Sequence, residues 1–237
     1  MLLIKLWLRW AFKRSAYQIL VGRYHDRTKP SSGRFTRGQV DELLKSVWVH
    51  LNSLLPEANL EQYRTLGNRQ NLYLAVATRA AYHAFLESGI DSAYATELVG
   101  DVAWKVYVAW LPIPHFFARL VTRDPQEQMN FVLRAFLRYP FSEPGYQRKV
   151  WQDADGLNTH FYRCPPQAYF QQHGTPEEMQ FFNHTWCTFD WAIANEMVKS
   201  GWYERPHTLS AGDEVCDMKW HGRPEKSSLH SNSWRTL

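Results

Sequence analysis

The chain has only three cysteines, Cys164, Cys187 and Cys216, in 237 residues. So small and odd a number excludes a disulfide framework, so they read as reduced thiols and the expected setting is cytoplasmic. No Cys-x-x-Cys occurs, and the Cys-x22-Cys-x28-Cys spacing fits neither a zinc ribbon nor a ferredoxin. A long apolar run is missing too. Charges recur before the roughly 20 uninterrupted apolar residues that a bilayer crossing needs, so no membrane span is expected. Acids are scarce at one end: residues 1–40 hold nine Lys/Arg against Asp26 alone, while the remainder holds 18 basic and 22 acidic residues. Positive charge confined to one end argues against a nucleic-acid partner, which would draw it over the folded body.

What is present is apolar and aromatic. With 45% apolar residues and 15% aromatics the chain can bury a sizeable core. Residues 1–21 alternate Leu and Trp with Lys5, Arg9 and Lys13. Such a helix is built to lie in a lipid headgroup interface. It equally suits a helix docked on the domain with its cations snorkelling outward, which is the commoner arrangement. Charges interrupt the apolar run and no small-residue cleavage site follows, so a signal peptide is not expected. Residues 22–38 read as a loop. The expected organisation is a basic N-terminal extension and loop over 1–38, one domain over 39–221, and a disordered tail over 222–237.

Helical periodicity begins at Thr36. Val40, Leu43, Leu44, Val47, Leu51, Leu54 and Leu55 share a face up to Pro56. A second helix is predicted from about Asn71 to Leu86, closed by Gly89 as a left-handed cap. A third starts at Asp91 or Ser92 and runs to Trp110, where Leu111-Pro112-Ile113-Pro114 forbids continuation. Asp124-Pro125-Gln126-Glu127 opens a fourth, to about Arg138. Beyond Pro144, Gln147–Gln152 and Leu157–Cys164 read as two strands around Asp153-Ala154-Asp155-Gly156. Thr175-Pro176-Glu177-Glu178 launches a helix to Lys199, and Pro206–Ser210 with Glu214–Trp220 reads as a second hairpin. The predicted fold is α+β: an N-terminal helical layer packed with a small antiparallel sheet and one long C-terminal helix.

Every cysteine lies between Arg163 and Trp220. On the predicted long helix His184, Cys187 and Asp190 follow at three-residue intervals, a stripe of roughly 120° on which neighbouring side chains touch. A thiol beside an imidazole and a carboxylate is how a thiolate nucleophile is made. Cys164 ends one strand; Cys216 shares a face of another with Met218 and Trp220. The bland alternative is that each cysteine is a small buried hydrophobe and His184 an ordinary histidine.

Arg163-Cys164-Pro165, Cys187-Thr188-Phe189-Asp190, Thr208-Leu209-Ser210-Ala211-Gly212-Asp213 and Cys216-Asp217-Met218-Lys219 together resemble the signature of the L-2-amino-thiazoline-4-carboxylic acid hydrolase family. The helix from Leu74 to Gly89 is similar to an alanine-rich, aromatic helix of that family, and the resemblance covers about residues 40–222. One departure is Met218-Lys219-Trp220, where the family more usually has an aromatic directly after Cys-Asp. The resemblance implies hydrolytic opening of a small cyclic C=N compound without a cofactor. That chemistry needs a nucleophile, a proton donor and a positive charge for a carboxylate. Cys187 is the expected nucleophile with Asp190 and His184 as partners. Cys164 and Cys216 are expected to line the pocket, Asp217 to be a second acid/base, and Arg163 and Thr208 to bind substrate. Two alternatives use the same chain differently. In one, Cys164, Cys187 and Cys216 with His184 or Asp190 hold zinc or an iron–sulfur cluster. In the other, the chain is a non-catalytic small-molecule binder at the inner face of a membrane, anchored by residues 1–21.

Overall fold

The computed structural model describes residues 2–224. Its first half is helical: α1 (Leu2–Leu20), α2 (Arg37–Ala58), α3 (Leu66–Glu87), α4 (Ser92–Val108), α5 (Pro112–Val121) and α6 (Pro125–Arg138). Local chemistry explains the boundaries. Thr36 and Gln39 form a reciprocal capping box at the start of α2, and Asp124 accepts the Glu127 N–H at the start of α6. Gly89, with φ +78°, lets its own N–H reach Leu86 O and that of Ile90 reach Phe85 O, so α3 stops where a left-handed residue was predicted.

One proline expectation fails: Pro56 does not end α2, which continues to Ala58 and turns at Asn59 in the left-handed region. The helix α4 does stop before Leu111-Pro112-Ile113-Pro114, at Val108, and Pro112 then occupies the first turn of α5, where its missing N–H has no helical partner to lose. The segment 1–38 is not set apart from the domain. Leu8, Phe12, Ala16, Leu20 and Phe35 are buried in the same core as α2, α3 and α4, and the Ser15 hydroxyl donates to Val102 O. Residues 22–36 do form a loop, apart from a short 3-10 turn and a single bridge between Tyr24 and Arg34, while Arg37 and Gly38 already belong to α2. Most of the expected tail, from residue 225 on, lies outside the described residues.

The second half carries β1 (Gln147–Gln152), β2 (Leu157–Arg163), α7 (Pro165–His173), α8 (Pro176–Thr185), α9 (Phe189–Met197), β3 (Trp202–Glu204) and β4 (Cys216–His221). The strands form one antiparallel sheet in the order β1-β2-β4-β3. The architecture is thus α+β, a helical layer with a small antiparallel sheet. The β1–β2 turn closes where Asp153 Oδ1 accepts the N–H groups of Asp155 and Gly156, as the Asp-Gly pair predicts. The second hairpin is displaced: β4 pairs with Trp202–Glu204, and residues 206–215 form a connecting loop containing a 3-10 turn.

The single long helix over 176–199 is corrected to two helices meeting at a 3-10 turn, Trp186–Thr188. Thr185 Oγ1 bonds back to Phe181 O and Thr188 Oγ1 to His184 O and Thr185 O, side-chain bonds that compete with the helical ladder. The Cys187 carbonyl is taken by Arg205 Nη2 at 3.0 Å. A 3-10 break of this kind re-aims the side chains that follow it.

Candidate active site

An aromatic cavity with an empty volume of about 840 Å3, mouth included, lies between the helical layer and the sheet. In β2 and β4 the residues Thr159 and Phe161 face the same side as Cys216, Met218 and Trp220, because Cys216 pairs with Phe161 and Met218 with Thr159 across the antiparallel ladder. They form the floor. Tyr107 from α4, Phe136 from α6, and Phe182 and Trp186 at the end of α8 form the walls.

All three cysteines line this cavity, each free and partly exposed, and they come from three separate stretches of chain. Cys164 is the N-cap residue of α7, with no side-chain hydrogen bond to the helix start. Cys187 Sγ lies 3.2 Å from Ser210 Oγ, Ser210 Oγ lies 3.1 Å from Thr208 Oγ1, and Thr208 Oγ1 lies 3.5 Å from Cys216 Sγ. Two thiols are therefore joined through two hydroxyls. Cys216 Sγ also accepts the Leu209 N–H at 3.3 Å. The loop holding these hydroxyls is fixed by Asp213, whose carboxylate accepts the Thr208 N–H at 2.7 Å.

Asp190, two residues past the 3-10 turn, reaches the cavity. Its Oδ2 accepts from Arg205 Nη1 at 3.3 Å and from the Tyr203 hydroxyl at 3.4 Å. The Arg205 side chain is only 6% exposed. It stacks 4.4 Å from the Trp191 ring centroid. One guanidinium thus grips the Asp190 carboxylate and the Cys187 carbonyl, holding both on the same wall.

Burial dominates the titration of this site. It raises the Asp190 carboxyl to about 6, against the opposing pull of Arg205 and Tyr203. It pushes the Cys187 thiol up to about 12, with the Ser210 hydroxyl and the Arg205 charge pulling the other way. Cys216 is raised, and Cys164 well raised, by the same desolvation. At neutral pH the resting sulfurs are thiols. Accordingly, an aromatic disulfide reagent should modify the folded protein at pH 7 at least roughly tenfold more slowly than an exposed cysteine, and denaturation should release all three. Instant reaction of any one in the folded chain would contradict this picture.

Of the residues singled out in the sequence, Cys164, Cys187, Asp190, Thr208 and Cys216 converge here. His184 does not. It is exposed, its Nδ1 bonding back to Gln180 O at 2.8 Å, because the break after Thr185 turns Cys187 and Asp190 inward and leaves His184 outside. Arg163 is exposed beside Tyr63 and does not line the cavity, because the β1–β2 register shifts between Phe161 and Arg163 and breaks the alternation there. Asp217, alternating with Cys216 along β4, bonds the His207 N–H and Nδ1, both at 2.7 Å, on the opposite face. Sequence reading missed Arg205, Tyr203 and Tyr107. The only hint for Arg205 was its place just before Pro206 and the Thr208–Asp213 motif. Among the described residues no group of three or more His, Cys, Asp or Glu is placed to hold a metal ion.

Comparison with family models, curated proteins and solved structures finds no match to this chain.

Proposed function

We propose that this chain is a hydrolase that opens a small cyclic C=N compound of the thiazoline or amidine type, with Cys187 as nucleophile. The observation carrying the proposal is the convergence of three thiols, a carboxyl titrating near neutrality and a buried guanidinium on one aromatic cavity. The resemblance of the cysteine-bearing segments to L-2-amino-thiazoline-4-carboxylic acid hydrolases supplies the substrate class.

Forming a free Cys187 thiolate at pH 7 from a thiol near 12 would cost about 7 kcal/mol at ~1.4 kcal/mol per pKa unit. Sulfur attack is therefore coupled to proton loss. As Cys187 Sγ bonds the C=N carbon, its proton passes to the Asp190 carboxylate and on to the ring nitrogen or sulfur, whose bond to that carbon breaks. Asp190, ionised again, takes a proton from water, which attacks the sulfur-bound carbon and returns Cys187 to the thiol. Arg205 replaces the exposed Arg163 as the positive charge for a substrate carboxylate.

Asp190 works as an ionised base in the free enzyme, so kcat/KM should rise with pH through about 6. Asp190→Asn should remove that limb along with most of the activity. Arg205→Met should move the limb to higher pH, because the guanidinium opposes the burial that raises Asp190. A pH profile of kcat/KM for 2-amino-thiazoline-4-carboxylic acid tests this; an unaltered acid limb in Asp190→Asn would remove Asp190 from the mechanism.

A further inference from the structure

α5 presents its apolar face the wrong way for a helix of a globular domain. Ile113, Phe116, Phe117, Leu120 and Val121 follow 3- and 4-residue spacing and so share one face, yet each is exposed, Phe116 by 60% and Leu120 by 68%. The one buried residue of the ten, Ala118, lies on another side of the helix. α1 repeats the feature. Leu3, Leu6 and Trp10 lie on one stripe and are exposed, although the opposite side of the helix is buried in the core. The two helices approach each other at their ends: the partly buried Trp7 ring of α1 sits 4.7 Å from that of Trp110, two residues before α5. Isolated exposed hydrophobics need no explanation, but two such stripes on neighbouring helices do.

The charge carried by the two helices themselves is of one sign, although Glu196 lies near His115 of α5. α1 and α5 contain no acid between them. Among the described residues no carboxylate is paired with Lys5, Arg14, Arg119 or Arg123, although Lys13 is paired with Asp41. Arg14 lies 5.4 Å from the Trp10 ring centroid, at the boundary between apolar and cationic surface. Exposed aromatics rimmed by unpaired cations match an anionic bilayer, which offers an acyl boundary for the rings and phosphates for the cations. No helix among the described residues is long and apolar enough to cross a membrane.

We infer that α5 together with the first half of α1 forms a docking surface for anionic phospholipid membranes. The inference is independent of the chemistry in the cavity. The sequence pointed only to residues 1–21; α5 supplies the larger apolar face, and α1 is held by the core on its other side.

The test is co-sedimentation of the full chain with vesicles of phosphatidylcholine and phosphatidylglycerol, mixed three to one, against vesicles of phosphatidylcholine alone. The wild type should bind the mixed vesicles and release as salt is raised. Phe116→Ser combined with Phe117→Ser should weaken binding by roughly tenfold or more, since the two rings provide much of the insertable area. Arg119→Glu with Arg123→Glu should weaken binding to mixed vesicles alone. All four positions are exposed, and unchanged circular dichroism and melting would show that the variants fold. No binding by the wild type, equal binding to both vesicle types, or full binding by the Phe116/Phe117 variant would overturn the inference. So would a wild-type dimer that fails to bind vesicles and separates in that variant, which would identify the face as a self-interface.

Discussion

Replacing Cys187 by serine should lower kcat/KM for 2-amino-thiazoline-4-carboxylic acid by at least about a thousandfold, since removal of a nucleophile that acts in every turnover leaves only binding and electrostatic contributions. The other two thiols should be far less sensitive. Cys216 Sγ accepts the Leu209 N–H, and Cys164 is the N-cap residue of α7 with no side-chain cap hydrogen bond. A serine oxygen can accept the Leu209 bond, and Cys164→Ser has no such bond to lose, so Cys164→Ser and Cys216→Ser should each cost about tenfold or less. Ser210→Ala should fall between, because it removes the hydroxyl 3.2 Å from Cys187 Sγ without removing the sulfur. Steady-state kinetics on the four variants, with folding checked by circular dichroism, reads the order directly. If Cys187→Ser keeps most of its turnover while Cys164→Ser or Cys216→Ser loses it, the nucleophile is one of the other two.

The largest stability effect should come from a site far from the thiols. Arg79 on α3 donates Nε to Glu178 Oε1 at 2.6 Å and Nη2 to Oε2 at 3.0 Å, and the pair is almost fully buried, with side chains 8% and 5% exposed. Arg79 further donates to the Tyr169 hydroxyl and His173 O, while Glu178 accepts the Thr175 N–H that closes the capping box of α8 and bonds His83. One ion pair thus fastens α3 to α7 and α8, the helices that carry one wall of the cavity. Arg79→Met should cost roughly 3–5 kcal/mol, because it strands a carboxylate without its bidentate partner. Arg79→Met with Glu178→Met should cost less than the sum of the single changes, since an apolar pair carries no desolvation debt. Urea unfolding of the three variants measures both.

The pH dependence follows from the same pair. Burial alone would raise the Glu178 carboxyl, but bonds from His83, Arg79 and the Thr175 N–H lower it to about 2, from an ordinary 4.5. A carboxyl depressed on folding contributes stability that is complete above about 4.5 and is lost as the pH falls toward 2. Glu178→Gln should therefore flatten the acid decline of stability between those two values. An acid decline as steep as in the wild type would show that other carboxylates govern it.

Local rules carried most of the helical half and the first hairpin, because caps, turn residues and apolar spacing act within a few residues of one another. Asp124 before Pro125, Thr175 before Pro176, Gly89 after Leu86 and Asp153 to Gly156 each satisfy backbone groups close by, so the sequence alone shows them. Those same rules stopped α4 before Pro112 but did not show that Pro112 opens α5. A proline that stops one helix can start the next, and only the arrangement of α4, α5 and α6 decides between the two outcomes.

The three thiols were visible in the sequence, and their residue types already pointed to chemistry. Which polar groups join them was not. His184, Cys187 and Asp190 are evenly spaced, yet back-bonding threonines and a carbonyl captured by Arg205 break the helix between the first and the second, and the imidazole stays in solvent. Arg205 is distant from Cys187 along the chain and becomes its neighbour only because β3 runs back beside α9. Contacts over that range depend on how the sheet packs on the helices, which no short-range pattern encodes. The sequence by itself thus determined most of the N-terminal helices, the first hairpin and the inventory of reactive groups; the tertiary structure alone decided where the later helices break, which of those groups meet, and in what charge state.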